Sequence, residues 1–208
     1  TGRDYALRIL KDNIIRLELR PGSMLSENEI ASELGLSRTP VREALIELSK
    51  SQIVEILPQR GSMVSLIDYS LVEESCFIRR VMEKAIVELA CELAQEKDFK
   101  VLEENLLLQE FYLNNSLPFK LLELDNAFHK ELFKICNKIQ SYNMVNSMSL
   151  HFDRVRSMSL NTIKDLKLVN DHRGIVKAIQ ERNPELAKQL MDKHLSRYKI
   201  DEEAIRKK

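Results

Sequence analysis

The run Leu34-Gly35-Leu36-Ser37-Arg38-Thr39-Pro40-Val41-Arg42-Glu43-Ala44-Leu45-Ile46-Glu47-Leu48 constrains this chain more than any other stretch. Gly35, between two leucines, reads as a tight turn. Ser37 predicts a helix start, with its hydroxyl placed to cap the free N–H groups of the first turn. Pro40 falls inside that turn, where a missing N–H does little harm. Val41, Ala44, Leu45 and Leu48 recur at helical spacing and form one apolar stripe. Arg38, Thr39 and Arg42 are left on the exposed start of the helix. Just upstream, Ser26-Glu27-Asn28-Glu29 is a capping-box pattern, so a short helix burying Ile30, Ala31 and Leu34 precedes the turn. Two helices joined by a short glycine-containing turn make a helix-turn-helix. An N-terminal turn carrying Arg and Thr, with its back face packed on a preceding helix, suits a DNA major groove.

The flanking sequence supports that reading. Leu7, Leu10, Ile14 and Leu17 share a face and predict a helix over about 4–17, broken by Arg20-Pro21-Gly22-Ser23. After the helix-turn-helix, Ile53-Val54-Glu55-Ile56-Leu57 reads as a strand, Pro58-Gln59-Arg60-Gly61 as a turn and Ser62-Met63-Val64-Ser65-Leu66 as the returning strand. A hairpin in that place is a wing. Its tip carries the Arg60 cation and the flexible Gly61, able to reach a neighbouring minor groove. Charge alone does not point to nucleic acid: the 208 residues hold 32 Lys/Arg against 32 Asp/Glu, and residues 1–66 hold nine of each. DNA contact would rest on where the arginines sit.

From Ser70 onward no strand signal remains. Ser70-Leu71-Val72-Glu73 is a second capping-box pattern opening a helix over about 71–94. Further helices are expected over about 98–113, 118–136 and 139–158, then one capped by Thr162-Ile163-Lys164-Asp165 and running to about 182, and one over 184–205 (Asn183 as cap, Pro184 at the first turn). The predicted fold is mainly α. A winged helix-turn-helix occupies 1–67 and an all-α bundle of six or more helices occupies 70–208, with a linker too short for independent tumbling. Five glycines, five prolines and no tryptophan fit long helices and few loops. Cys76, Cys91 and Cys136 are scattered and odd in number, which argues against a disulfide framework and for a reducing compartment. No apolar run reaches spanning length and no signal-peptide pattern opens the chain, so a cytoplasmic protein without membrane association is expected.

Three of the four histidines form a pattern. Asp125 and His129 lie four apart and leave one helix face together, among Phe128, Leu132, Phe133 and Cys136. His172 is in line with Val169, Ile175, Val176 and Ile179, and His194 with Leu186, Ala187 and Leu190. Each could be a hydrogen-bonded core residue, and Asp125–His129 a simple ion pair. If they converge, a divalent metal satisfies one carboxylate and three neutral imidazoles at once and keeps positions open for a small carboxylate. His151, beside Phe152 and Asp153, reads as a non-ligand. Arg79, Arg80, Arg154 and Arg156 are candidates to face the same cavity and bind an acid, although Arg79 and Glu83, four apart, could equally pair with each other.

These motifs resemble the GntR family of bacterial transcription regulators, in the FadR-like subfamily with an FCD-type helical domain. The resemblance runs through Leu19-Arg20-Pro21-Gly22, Leu25-Ser26-Glu27, Leu36 to Leu45 and Leu57 to Val64, then Arg79-x-x-x-Glu83, Asp125-x-x-x-His129, His172 and His194. It implies base and phosphate contacts by Arg38, Thr39 and Arg42, and a minor-groove contact by Arg60 and Gly61. Asn28 stands where some members carry a DNA-touching arginine. It implies a metal quartet of Asp125, His129, His172 and His194 holding zinc, with nickel or manganese as alternatives. It further implies a small organic acid effector near Arg79 and Arg154 rather than an acyl-CoA, and a homodimer on a palindromic double-stranded operator, mostly repressing. Two other readings stand beside this one: the same regulator with a purely structural metal, and a metal-dependent enzyme. The enzyme reading lacks any general-base or nucleophile motif and leaves the winged half unexplained.

Overall fold

The computed structural model describes residues 1–162 and 167–197. Helix α1 (Gly2–Ile15) turns Ala6, Leu10 and Ile14 inward. After the Pro21-Gly22 turn comes β1 (Met24–Leu25), then α2 (Glu27–Leu34), α3 (Arg38–Lys50), β2 (Val54–Leu57) and β3 (Gly61–Val64). The hairpin β2–β3 pairs antiparallel, Leu57 opposite Gly61 and Val54 opposite Val64. β1 adds to the other edge of β3, giving the order β1-β3-β2. This third strand was not expected; at two residues it is too short to show alternation. Helix-turn-helix and wing share one core, in which Ile14, Val41, Leu45, Leu48 and Ile53 are fully or almost fully buried.

Local chemistry explains the turns. Gly35 has φ +64, and a Cβ there would meet nothing within 4 Å. Glycine is needed for the left-handed backbone, not for room. Leu36 N–H then closes on the Ala31 carbonyl at 2.9 Å. Ser26 caps α2 through Glu29 N–H as expected. Ser37 precedes α3 in extended conformation without a side-chain cap bond, contrary to the expectation drawn from its residue type. At the wing tip, Arg60 N–H bonds the Leu57 carbonyl, with Pro58 second and Gln59 at φ +61 third, the pattern of a type II turn.

The second half contains seven described helices: α4 (Tyr69–Leu93), α5 (Glu96–Asn114), α6 (Pro118–Ile135), α7 (Ile139–Ser147), α8 (Leu150–Thr162), α9 (Lys167–Gln180) and α10 (Pro184–Ser196). α4 starts two residues earlier than expected, because Asp68 rather than Ser70 is its cap: the Asp68 carboxylate accepts from Ser70 N–H (2.9 Å) and Leu71 N–H. The single helix expected over 139–158 is two. The Ser149 hydroxyl donates to the Val145 carbonyl at 2.9 Å, supplying the partner that the next helical amide would have been, and α8 restarts at Leu150. The proposed cap Thr162 to Asp165, like the end of the last helix, lies outside or at the edge of the described residues. α4 and α10 pack closely, with α6, α8 and α9 against α4, around a core that includes Val87, Ala90, Leu102, Phe128, Ile175 and Met191. Among the described residues no helix is long and apolar enough to cross a membrane.

Candidate functional site

Two surfaces matter, and α8 lies between them. The first is the start of α3. Arg38, Thr39 and Arg42 are exposed there, while Val41, Ala44 and Leu45 on the opposite face fill the core. Arg38 Nη2 lies 3.2 Å from Glu27 Oε2, with its side chain 67% exposed. So exposed a pair contributes little and leaves the guanidinium available. Arg60 and Gly61 are exposed at the wing tip. A neutral domain thus presents cations at the two places where a groove-binding fold meets DNA.

The second is inside the bundle. Asp125 and His129 project from α6, His172 from α9 and His194 from α10, and one ligand atom from each lies within 4.8 Å of all the others. Three are buried and His194 is the least buried. Each imidazole is oriented from behind. His129 Nδ1 rests against Glu83 Oε2, and Glu83 Oε1 accepts from Arg79 Nε at 2.6 Å. His172 Nδ1 lies 2.8 Å from Gln109 Oε1. The direction of that bond follows from its neighbours. The Leu124 carbonyl can only accept, so Asn105 Nδ2 donates to it at 3.1 Å; Asn105 Oδ1 then accepts from Gln109 Nε2 at 2.6 Å. Gln109 is left with an acceptor facing His172, whose Nδ1 carries the proton. His194 Nδ1 faces Asp171 at 3.8 Å, and Asp171 is held by Arg197.

Glu83 and Gln109 hold the protons of His129 and His172 on the Nδ1 side, and the three Nε2 atoms converge. His172 Nε2 and His129 Nε2 each lie 3.2 Å from His194 Nε2, and His172 Nε2 lies 3.3 Å from Asp125 Oδ1. Acceptors at that distance repel unless a proton or a metal ion stands among them. Protonation is opposed: burial pushes the His172 imidazole well below its ordinary range, with His194 and His129 adding to the effect. Burial likewise brings His194 down to about 4 and lowers His129. Separations of about 3–4 Å suit atoms that ligate one ion at about 2.1 Å. The donor set of three neutral nitrogens and a carboxylate fits a divalent cation, and the carboxylate behind His129 and the amide oxygen behind His172 are partners of the kind that metal-binding histidines use. Replacing Gln109 with leucine is expected to lower zinc affinity by about 10- to 100-fold by releasing the His172 ring. Competition titration with a chelator reads this, and unchanged affinity would remove Gln109 from the centre.

Beside His129 lies a cavity lined by Arg79, Glu83, Asn126, Tyr142, Ser149 and Asp153 among others. Its free volume is only about 10 Å³, the room one water takes. Arg79 is buried on its wall, where it pairs with Glu83. Arg154 is not on that wall: its Nη2 donates 2.7 Å to the Ser65 carbonyl at the end of the wing. The arginine of α8 beside the quartet is Arg156, in contact with Asp125 and 2.9 Å from Asp153 Oδ1. Sequence reasoning also passed over Glu83, Gln109 and Asp171 as partners of the histidines. Gln109 left a signal, since it continues the buried stripe Phe99, Leu102, Leu106 on α5.

A winged helix-turn-helix joined to a helical bundle with an inward His/Asp centre defines a DNA-binding regulator with a sensing domain. The comparisons place it within that class. Residues 5–64 match the bacterial regulatory proteins of the gntR family and residues 74–197 match the FCD domain, so the chain belongs to the GntR family with an FCD effector-binding domain. It is 33% identical over 189 residues to the HTH-type transcriptional repressor RspR of Escherichia coli K12, covering 90% of this chain and 83% of that protein. It is 34% identical over 216 residues to an HTH-type transcriptional regulator of Streptomyces ambofaciens, covering 98% and 86%. Its fold superposes on E. coli McbR/YncC with a TM-score of 0.85 over 99% of both chains at 19% identity. The family and these relatives are transcriptional regulators, not enzymes.

Proposed function

We propose that this regulator binds a palindromic operator as a homodimer, represses from it, and is released when a small carboxylic acid enters the bundle beside a divalent metal. The observation that carries the reading is the convergence of three Nε2 atoms and Asp125 within 4.8 Å next to a small cavity with Arg79 on its wall. Asp125, His129, His172 and His194 would hold the metal, with zinc preferred for this donor set. The bound ion supplies a fixed positive charge for a carboxylate. Arg79 on the cavity wall supplies a second cation for the same group. With room for about one water, an acid of several heavy atoms fits only if the walls part. The walls include Ser149 and Asp153, at the start of α8. Entry of the acid would therefore move α8, and with it the winged domain that α8 touches. The relative RspR is named a repressor, which supports that sign of regulation.

A homodimer needs an apolar face, and α4 offers one. Phe77, Val81 and Ala85, four apart, are exposed along it, Phe77 by 69% and Val81 by 51%. Phe77→Glu is expected to halve the particle mass in gel filtration with light scattering, while the helical content by circular dichroism stays the same. A Phe77→Glu protein of unchanged mass would place the interface elsewhere. The operator reading is tested by selecting binding sites from random-sequence DNA. The expected product is a short two-fold symmetric sequence with half-sites about one helical turn apart or less. A lone, asymmetric half-site would defeat the dimeric reading.

A further inference from the structure

The contact between the two halves of the molecule is built on backbone groups and read by two side chains of α8. His151 Nδ1 accepts from Asp68 N–H at 3.0 Å, and its Nε2 lies 3.2 Å from the Gln52 carbonyl, to which it donates. One neutral ring thereby joins the linker to the turn that follows α3. A turn further on, Arg154 is wholly buried and donates from Nη2 to the Ser65 carbonyl, just past β3. Ser65 N–H in turn bonds the Ile53 carbonyl at the start of β2. Leu150, the first residue of α8, belongs to the core of the winged domain with Ile14 and Leu45. On the same helix, Arg156 contacts Asp125 and Asp153 lines the cavity. α8 therefore has one end in the DNA-binding domain and its other face on the His/Asp centre.

We propose that His151 and Arg154 are positioning residues that fix the orientation of the winged domain, and that α8 is the strut through which the bundle sets it. Their partners are carbonyl and amide groups, so the bonds define a geometry rather than a sequence preference. Gln52 and Ser65 flank the wing, so a shift of α8 carries the α3–wing unit as one piece. Arg154 also shows that the joint is poised to change. Its Nε and Nη1 have no hydrogen-bond partner among the described residues, and burial alone pushes its guanidinium down to about 10. A buried guanidinium with so few partners is costly, so an arrangement that gives it another acceptor competes with this one. The Arg16–Glu123 pair between α1 and α6 also joins the two halves, but it is exposed and contributes little.

This inference rests on the reading that the bundle controls DNA binding, and its test separates the two. Hydrogen exchange of the full chain is followed at the amides of 65–69, together with zinc affinity and affinity for the selected operator. His151→Phe keeps the ring and loses both bonds; Arg154→Ala loses the guanidinium. Each is expected to speed exchange at 65–69 by about tenfold or more, to leave zinc affinity within about threefold, and to weaken operator binding. Arg154→Lys, which retains a donor for the Ser65 carbonyl, is expected to recover most of the protection. Unchanged exchange in His151→Phe and Arg154→Ala, or an Arg154→Lys protein indistinguishable from Arg154→Ala, overturns the joint. Faster exchange with operator affinity untouched leaves the joint standing as a contact and overturns its role in positioning the DNA-binding domain. A wild-type protein whose operator affinity ignores every acid tested would instead count against the sensing function alone.

Discussion

An Arg42→Ala protein is expected to lose operator affinity by about 30-fold to 10⁴-fold while unfolding at nearly the same temperature. The estimate takes about 1–3 kcal/mol for one arginine contact to DNA and counts it once per protomer. Arg42 is exposed on the first turns of α3, and among the described residues it makes no ion pair, so its loss leaves nothing unsatisfied. Surface changes of this kind move stability by no more than about 0.5 kcal/mol. The neighbouring Arg38→Ala is expected to behave alike, because the Glu27 pair it loses is exposed. Fluorescence anisotropy at several salt concentrations distinguishes the two kinds of contact. A phosphate contact lowers the salt slope by about one per copy and weakens all sequences equally, whereas a base contact relaxes preference at one position. Affinity within threefold of wild type would take Arg42 off the DNA.

His172→Ala is expected to abolish metal binding. His172 is fully buried, its Nε2 points at His194 and Asp125, and it is held by the Gln109 relay. Losing this ligand should reduce zinc affinity by about 10³-fold or more, beyond the 10- to 100-fold of an outer partner such as Gln109. Reloaded wild-type protein is expected to hold one zinc per chain and the variant none at micromolar zinc, as read by elemental analysis after desalting. Because the substitution also removes converging lone pairs, the unloaded variant need not be less stable than the unloaded wild type, despite the space it opens. One zinc per chain in His172→Ala would show that the quartet is not the metal centre.

What was legible in the sequence was whatever repeats within a helix or a turn. The α2–Gly35–α3 unit could be read because Gly35 must take a positive φ and because Val41, Ala44, Leu45 and Leu48 repeat at helical spacing. The hairpin could be read from β-branched residues around Pro58. The quartet could be read because Asp125 and His129 lie one turn apart and His172 and His194 interrupt apolar stripes. The rest depends on partners far along the chain. Gln109 meets His172 across 63 residues, and His151 meets Asp68 across 83. No local period announces such bonds; the only trace is a polar residue on a buried face. The break between α7 and α8 was hidden for a different reason. A serine makes it, with neither glycine nor proline to mark it. α8 restarts at Leu150, and its Arg154 meets the Ser65 carbonyl rather than the cavity.

In the proposed function, the His/Asp centre in the bundle governs how the winged domain holds DNA. That control is tested most directly by measuring operator affinity of zinc-loaded protein across a panel of small carboxylic acids, in parallel with His172→Ala. At least one acid is expected to weaken wild-type binding by tenfold or more and to leave the variant unaffected. An acid that acts equally on both proteins, or a panel in which none acts on the wild type, would contradict it.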